Sequence, residues 1–493
     1  MKKISLKGAS WDSVFLAVGK VLTLLFGILS AKLLSTGLSL SEYGTYSQAN
    51  LVSTVGRSLI LLGLGDALNY YFNKKSDDID EKLRYRIVNT VFFLELFVGA
   101  VLAVCIVFGQ DLIAIYFSNS AVKVLLPIVS VIPILTNLIY FYQILYVAVG
   151  KAKIMSAYTL ATTIIKIITI YLAVYVLKNL VWIYVVMVLQ DIIVLMIFHL
   201  SLSKKDVRIQ PWKISKAHIR PIFAYSLPMG VFVITNEFTR DLDKLIIGRL
   251  ADTESLAIYT NCSKILPFDF FVTSFAMVLI PYIVKYVTEN KKELSVDLFS
   301  SYLKIGYYSV WVLGVAVLIA PETMISFLYS EEYVVGKDIY IMYIFDSMLR
   351  FASMHLILTA ANKSKNLMAY SIFSLILNFV LNIVFYYIFG ITGPAIATLV
   401  VAVVYTWLIL HKTIKVLDTS WIKVFNLKEI GILIASLAIF WAVGSLLNNL
   451  LIQAGVHEYL SMIISMAVYG LSLLAIHFKK IFGVLKKINE FRM

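Results

Sequence analysis

Eight basic and eight acidic side chains fall inside stretches that are otherwise apolar enough to cross a membrane. The basic ones are Lys20, Lys32, Arg57, Lys166, Arg240, Lys244, Lys264 and Arg350; the acidic ones are Asp66, Glu95, Asp191, Glu237, Asp241, Asp243, Asp269 and Asp346. A charge at the bilayer centre costs at least ~2.5–3.5 kcal/mol on the insertion scale, so such groups face a wet cavity or one another and mark substrate or ion paths. The densest run is NEFTRDLDK at 236–244, where helical spacing puts Glu237, Arg240, Asp241 and Lys244 on one face and Asp243 off it. Asp346 and Arg350 are four apart and pair directly on one helix, and Lys166 and Asp191 offer a second pair between neighbouring spans. Lys32, near the outer end of the first span, snorkels to the interface.

Catalytic signatures are missing from the sequence. It contains no GxxxxGK[ST] phosphate loop and no HExxH, and its six histidines show no ligand spacing. Cys105 and Cys262 both sit in apolar segments, which suits small buried hydrophobes better than a disulfide or a thiolate metal site. No cofactor, no metal and no enzymatic activity are therefore expected.

The elements that carry these charges must be membrane helices. Hydrophobic residues make up 60% of the 493 and charged residues 15%, and mean hydropathy is +0.87. Soluble domains run near ~45–50% apolar and ~25% charged, so a soluble fold is excluded. Apolar runs place spans near 11–35, 43–73, 87–109, 122–149, 154–177, 180–203, 221–250 and 256–287, then 298–320, 338–361, 367–389, 394–417, 429–449 and 458–478. The fold class is thus an all-α integral membrane protein of about fourteen helices. The first apolar stretch reads as a span, since no small-residue cleavage site follows it.

The net charge of +14 raises the question of nucleic acid, and its location answers it. With alternate loops assigned to opposite sides, 31 of the 43 basic residues fall on one side, four on the other and eight within spans. That asymmetry is a topology signal, placing both termini in the cytoplasm and the protein in the cytoplasmic membrane. Most of the thirty tyrosines and thirty phenylalanines then serve as interfacial belts.

An internal repeat accompanies the topology. AVGKAKIMSAY at 148–158 lines up with AANKSKNLMAY at 360–370 at an offset of 212, and the same offset sets Glu42 against Glu254. Spans one to six (1–203) and seven to twelve (221–417) are expected to form parallel-repeat lobes joined by a cytoplasmic linker at 204–220, with spans 13 and 14 and a basic tail in 418–493. Pro127, Pro133, Pro228, Pro267 and Pro281 are candidate bending points.

Over its whole length the chain resembles the polysaccharide-transporter and oligosaccharide-flippase branch of the multidrug/oligosaccharidyl-lipid/polysaccharide exporter superfamily. The residues that carry the resemblance are SLSEYGTYSQA (39–49), DKLIIGRLADTESLAIYTNCSKI (243–265), the GKAK loop and GITGPAIAT (390–398). It implies a V-shaped pair of six-helix lobes that moves undecaprenyl-diphosphate-linked sugars outward by alternating access. In the branch that carries peptidoglycan precursors, two extra C-terminal helices form a groove for the lipid tail, and that branch places basic residues in spans one, two and eight. Lys20, Arg57 and Lys264 occupy those spans.

A diphosphate headgroup must leave water to cross, and fixed cations offset that cost; arginine offers two parallel donors where lysine is a point charge. Lys20, Arg57, Arg240, Lys244 and Lys264 are accordingly the candidate cargo contacts, Arg57 foremost. Asp66, Glu237, Asp241, Asp269, Asp346 and Arg350 are candidates for gating or for a coupling cation, H+ or Na+. Membrane lipid and polysaccharide polymerase machinery are the other expected partners, in an O-antigen, capsule or related pathway. Two rival readings are a drug or metabolite antiporter with an acidic chamber and a membrane-embedded polymerase or ligase. The second would carry a long outer-face loop, and the longest here is about 320–337.

Overall fold

The computed structural model describes residues 22, 25–73, 81–149, 152–203, 209–210, 212–264, 266, 268, 270–351 and 354–490. Among them there are helices and turns but no strand. Two compact units divide the chain, residues 1–257 and 258–493.

The first unit runs α1 (Leu25–Gly37), α2 (Leu40–Leu61), α3 (Leu64–Asn73), α4 (Glu81–Phe108), α5 (Gln110–Tyr116), α6 (Leu126–Val129), α7 (Ile132–Ala148), α8 (Ala152–Tyr171), α9 (Leu180–Ser203) and α10 (Lys216–Leu250). The unit boundary falls on α11 (Thr253–Cys262). The second unit continues with α12 (Phe270–Thr288), α13 (Lys292–Gly306), α14 (Val312–Val317), α15 (Pro321–Leu328), α16 (Lys337–Leu349), α17 (Leu356–Ala360), α18 (Ser364–Phe389), α19 (Gly393–Leu417), α20 (Trp421–Val424), α21 (Leu427–Gln453) and α22 (Glu458–Glu490). Among the described residues seven helices are long and apolar enough to cross a bilayer unaided, eight if α13–α14 and α15, bent by 88°, count as one. Of the other predicted spans, those at 43–73, 256–287 and 338–361 are divided, that at 221–250 lies within the continuous α10, and most of that at 11–35 falls outside the described residues.

Local chemistry explains where the helices start and break. Ser39 Oγ accepts from the Glu42 amide at 3.3 Å while Glu42 Oε2 accepts from the Ser39 amide at 3.0 Å, a capping box that opens α2. The span expected at 43–73 is two helices, because Leu62 (φ 37°) and Gly63 (φ 71°) both adopt the left-handed conformation between α2 and α3. A glycine on α10, Gly230, lies against the backbone of that break, with no room for a Cβ. Pro127 and Pro133 sit in the first turns of α6 and α7, where a missing N–H costs nothing, and α10 runs unbroken through position 228. Pro281 is inside α12, and Pro267 lies outside the described residues.

The repeat is visible in the order of elements. In the first unit α5 is followed by a 3-10 turn at Ser120–Val124, and in the second α15 is followed by one at Glu331–Gly336. Starts of α8 and α18, at Ala152 and Ser364, keep the offset of 212 found in the sequence.

Each unit has its own core. In the first, Leu64 and Leu68 of α3, Val88 and Val91 of α4, Phe141 and Leu145 of α7 and Phe198 of α9 are buried together. In the second, Leu433 and Leu437 of α21 and Tyr469 and Leu473 of α22 join the core built on α12, α13 and α19. Outward faces remain apolar, with Phe97, Ile164, Leu200, Phe379, Ile439 and Leu471 all exposed. A helix with hydrocarbon on its outside needs no polar face there, and only helices and closed barrels satisfy every backbone group inside a membrane. This is a multi-pass membrane protein.

Candidate functional site

Two cavities stand out, one in each unit. The cavity of the first unit has a volume of about 290 Å³ and is walled by α2, α7, α8 and α9. Arg57 of α2, Lys166 of α8 and Asp191 of α9 line it together with uncharged polar groups: Thr136 and Gln143 of α7, Thr159, Thr162 and Thr163 of α8, and Gln190 of α9.

Arg57 is exposed, and its guanidinium makes no ion pair or hydrogen bond with any described residue. Its backbone carbonyl instead accepts from Asn137 Nδ2 at 3.1 Å, which fixes the turn of α2 that carries it. Lys166 and Asp191 share the cavity without an ion pair between them among the described residues, so the direct pairing expected for them is not formed. Three threonines spend their protons on their own helices: Thr136 donates to the Ile132 carbonyl at 2.9 Å, Thr162 to Tyr158 at 2.9 Å and Thr163 to Thr159 at 2.6 Å. Gln190 Nε2 donates to the Thr162 carbonyl at 2.8 Å and ties α9 to α8.

The other predicted cations are engaged. Lys244 Nζ pairs with Asp241 at 2.7 Å and also donates to the Arg240 carbonyl at 3.2 Å. Arg240 lies 3.6 Å from Glu237 with its side chain 70% exposed, a loose pair in comparison. The span-seven stripe is therefore two successive i,i+3 pairs, and Asp243, off that stripe, is buried. In the second unit Lys264 Nζ donates to Asn261 Oδ1 at 2.6 Å and sits 5.5 Å from the centre of the Tyr329 ring. Arg350 Nε pairs with the buried Asp346 at 2.7 Å, and its Nη2 reaches the Thr398 carbonyl at 3.4 Å. Lys20 and Asp269 lie outside the described residues, as does the side chain of Asp66. Of the predicted contacts the structure describes, Arg57 stands alone in having a cation that meets a cavity with no carboxylate bound to it.

The cavity of the second unit is larger, about 920 Å³, and apolar. Trp311, Ile319, Phe345, Leu437 and Trp441 are among its walls, which come from α14, α16, α19, α21 and the flanking turns. Lys337, the one cation on its lining, is paired with Glu322 at 2.6 Å. That hydrogen bond holds the ammonium above the usual lysine range.

Sequence reasoning found the charges of the first cavity and missed its neutral polar wall. The signal was available: Thr159, Thr162, Thr163 and Lys166 recur at i, i+3, i+4 and i+7, one face of a helix.

A family model described as "Polysaccharide biosynthesis protein" matches residues 33–337. No curated protein sequence matches the chain. Among solved structures, the lipid II flippase MurJ in an inward closed conformation is similar, with a TM-score of 0.72 and 15% identity over 95% of this chain and 99% of that one. A multidrug resistance MATE family transporter of the MOP superfamily, inward-facing, aligns with a TM-score of 0.64 and 14% identity over 81% of this chain and 96% of the other. A MATE protein in a straight conformation gives a TM-score of 0.57 at 12% identity, covering 83% of this chain and 96% of its own. At such identities the likeness is one of fold.

Proposed function

We propose, for a chain that belongs to the polysaccharide biosynthesis protein family, the work of a flippase: it moves polyprenyl-diphosphate-linked oligosaccharide units from the inner to the outer leaflet of the cytoplasmic membrane. The observation that carries this reading is Arg57, a guanidinium on a polar cavity that forms no described ion pair, although the Asp191 carboxylate lines the same space. An anion leaving water loses its hydration, and a preformed cation with two parallel donors replaces it. A charge within a membrane helix bundle faces a wet path or a partner, and an exposed arginine with no described partner on a polar cavity suits a ligand of opposite charge.

The apolar cavity of the second unit supports the same reading, because its walls suit an isoprenoid tail and its single cation is already paired. The fold is shared with a flippase and a transporter seen in inward conformations, and alternating access is the general mode of transporters built from repeats. In this scheme the spans of 1–203 and 221–417 act as lobes and 204–220 as their connection. Asp346 with Arg350 and Glu237 with Arg240 are pairs whose making and breaking gates the change, with H+, Na+ or the membrane potential giving direction. The potential is worth ~2.3 kcal/mol per charge per 100 mV. A cationic-drug antiporter of the same fold would be repelled at Arg57.

Arg57→Ala tests the assignment. Export of the lipid-linked unit is expected to stop while the protein's level in the membrane is unchanged, and Arg57→Lys should keep part of it. Normal surface polymer in Arg57→Ala discards the reading.

A further inference from the structure

We propose that the α8–α9 wall of the Arg57 cavity is a sugar subsite, taking a single hydroxyl-bearing pyranose ring that adjoins an anionic group. The inference rests on the flippase reading for its physiological cargo and names which part of that cargo this cavity holds.

The cavity's hydrogen-bonding capacity is divided in space. On α7 and α8, Thr136, Thr162 and Thr163 have donated their protons to carbonyls of their own helices. What each hydroxyl has left is acceptor lone pairs. Across from α8, Asp191 adds a carboxylate that forms no described ion pair or hydrogen bond, and Gln190 has its amide committed to the Thr162 carbonyl, leaving its oxygen buried without a donor. The Tyr158 hydroxyl and the Gln143 amide remain as donors on the lining, and acceptors outnumber them. Arg57 and Lys166 are the reverse, up to eight N–H donors between them and no described hydrogen bond from either, although Asp191 attracts Lys166 within the cavity.

A ligand that satisfies both sets must bring several hydroxyl or amide donors on one part and an acceptor or negative charge on the other. A glycosyl phosphate does both. Inorganic phosphate answers only the cations, and an uncharged lipid answers neither. Polar groups left unsatisfied inside a membrane segment cost several kcal/mol each, so a wall of this composition is retained only if something polar visits it. Size limits the visitor: at about 290 Å³ the space lies at the bottom of the ~300–1,000 Å³ range of ligand cavities, enough for one ring and too small for an oligosaccharide. The subsite therefore reads the sugar nearest the diphosphate.

The test uses the purified full-length protein in detergent and a panel of hexose, N-acetylhexosamine and hexuronic acid 1-phosphates, with inorganic phosphate and the matching methyl glycosides as comparators. Binding is followed by calorimetry. At least one glycosyl phosphate should bind more tightly than inorganic phosphate, and the near-isosteric Thr162→Val and the Asp191→Asn variants should each weaken it by about tenfold or more while inorganic phosphate is held as before. Arg57→Ala should weaken both probes. The inference is overturned if no member of the panel exceeds inorganic phosphate, or if both wall variants bind it as the unaltered protein does; thermal unfolding of each variant separates lost binding from lost folding. Loss of export in Arg57→Ala together with unaltered sugar binding in the wall variants sinks this inference alone. Normal export in Arg57→Ala sinks the flippase reading instead.

Discussion

Glu429, at the start of α21, shows how single side chains hold the C-terminal helices to the second unit. Its Oε2 accepts from Lys304 Nζ of α13 at 2.5 Å and its Oε1 from the Tyr308 hydroxyl at 2.9 Å, with side chains only 22% and 11% exposed for Lys304 and Glu429. One helix further, Ser436 Oγ meets His477 Nε2 of α22 at 2.9 Å, and the His477 ring lies 5.5 Å from that of Tyr308. Breaking a buried ion pair by removing one member costs about 3–5 kcal/mol, and the residual exposure here lowers that to roughly 1–3 kcal/mol. Lys304→Met is therefore expected to lower the unfolding temperature in detergent. Lys304→Met combined with Glu429→Leu should recover most of the loss, because no charge is then left unpaired. Additive losses in the double variant would show that the two residues act separately. This pair differs from Arg57 in the way that matters for function: its charge is spent on structure, whereas that of Arg57 is unspent.

At the scale of elements, the motifs that carried the family resemblance turn out to be packing and capping devices. Glu42 of SLSEYG caps α2, and Gly44 two residues on lies against the backbone of Thr253, the first residue of α11. Asn119 joins the same knot, its Nδ2 donating to Thr45 Oγ1 at 2.9 Å and to Gln48 Oε1 at 2.7 Å. A side chain at 44 would have to displace main chain, so Gly44→Val should destabilise by about 1–3 kcal/mol, as overpacking does. Gly431→Ala, on a stretch of α21 with nothing within 4 Å, is the matched control and should be neutral or mildly stabilising. Equal unfolding temperatures for the two variants would contradict the close approach. Periodicity of apolar residues made most helices legible in advance, because the bilayer imposes one length and one composition on each. The break at Leu62–Gly63 was not legible, since an apolar run looks the same whether its backbone continues or turns left-handed for two residues. The cavity was half legible for a related reason: a charge in an apolar run is conspicuous, whereas Thr162 or Gln190 gains its meaning only from the neighbouring helix it faces.

For the whole molecule, the distribution of lysine and arginine and the count of spans are one argument, because adding or losing a single span would scramble the sidedness of every loop beyond it. The most exacting place to test that argument is the region from α10 to α15. Between Trp212 and Val335 the sequence calls for three crossings, yet only α10 is a single uninterrupted helix of 35 residues. The next crossing is divided into α11 and α12 around residues 263–269, and the one after bends by 88° between α13–α14 and α15. If α11 and α12 together cross the membrane, Trp212 and Val335, both about three-quarters exposed, lie on opposite sides. If they dip in and return, the two lie on the same side. With Cys105 and Cys262 replaced by alanine, Val335→Cys is expected to react with a membrane-impermeant maleimide in intact cells, and Trp212→Cys only after the cells are permeabilised. Labelling of both from outside, or of neither, would make the divided segment a re-entrant loop and reverse the sidedness of the later loops relative to the earlier ones. Labelling of Trp212→Cys alone would keep the three crossings and invert the protein in the membrane, which would leave most of its basic loops facing outward against the charge rule that positions them.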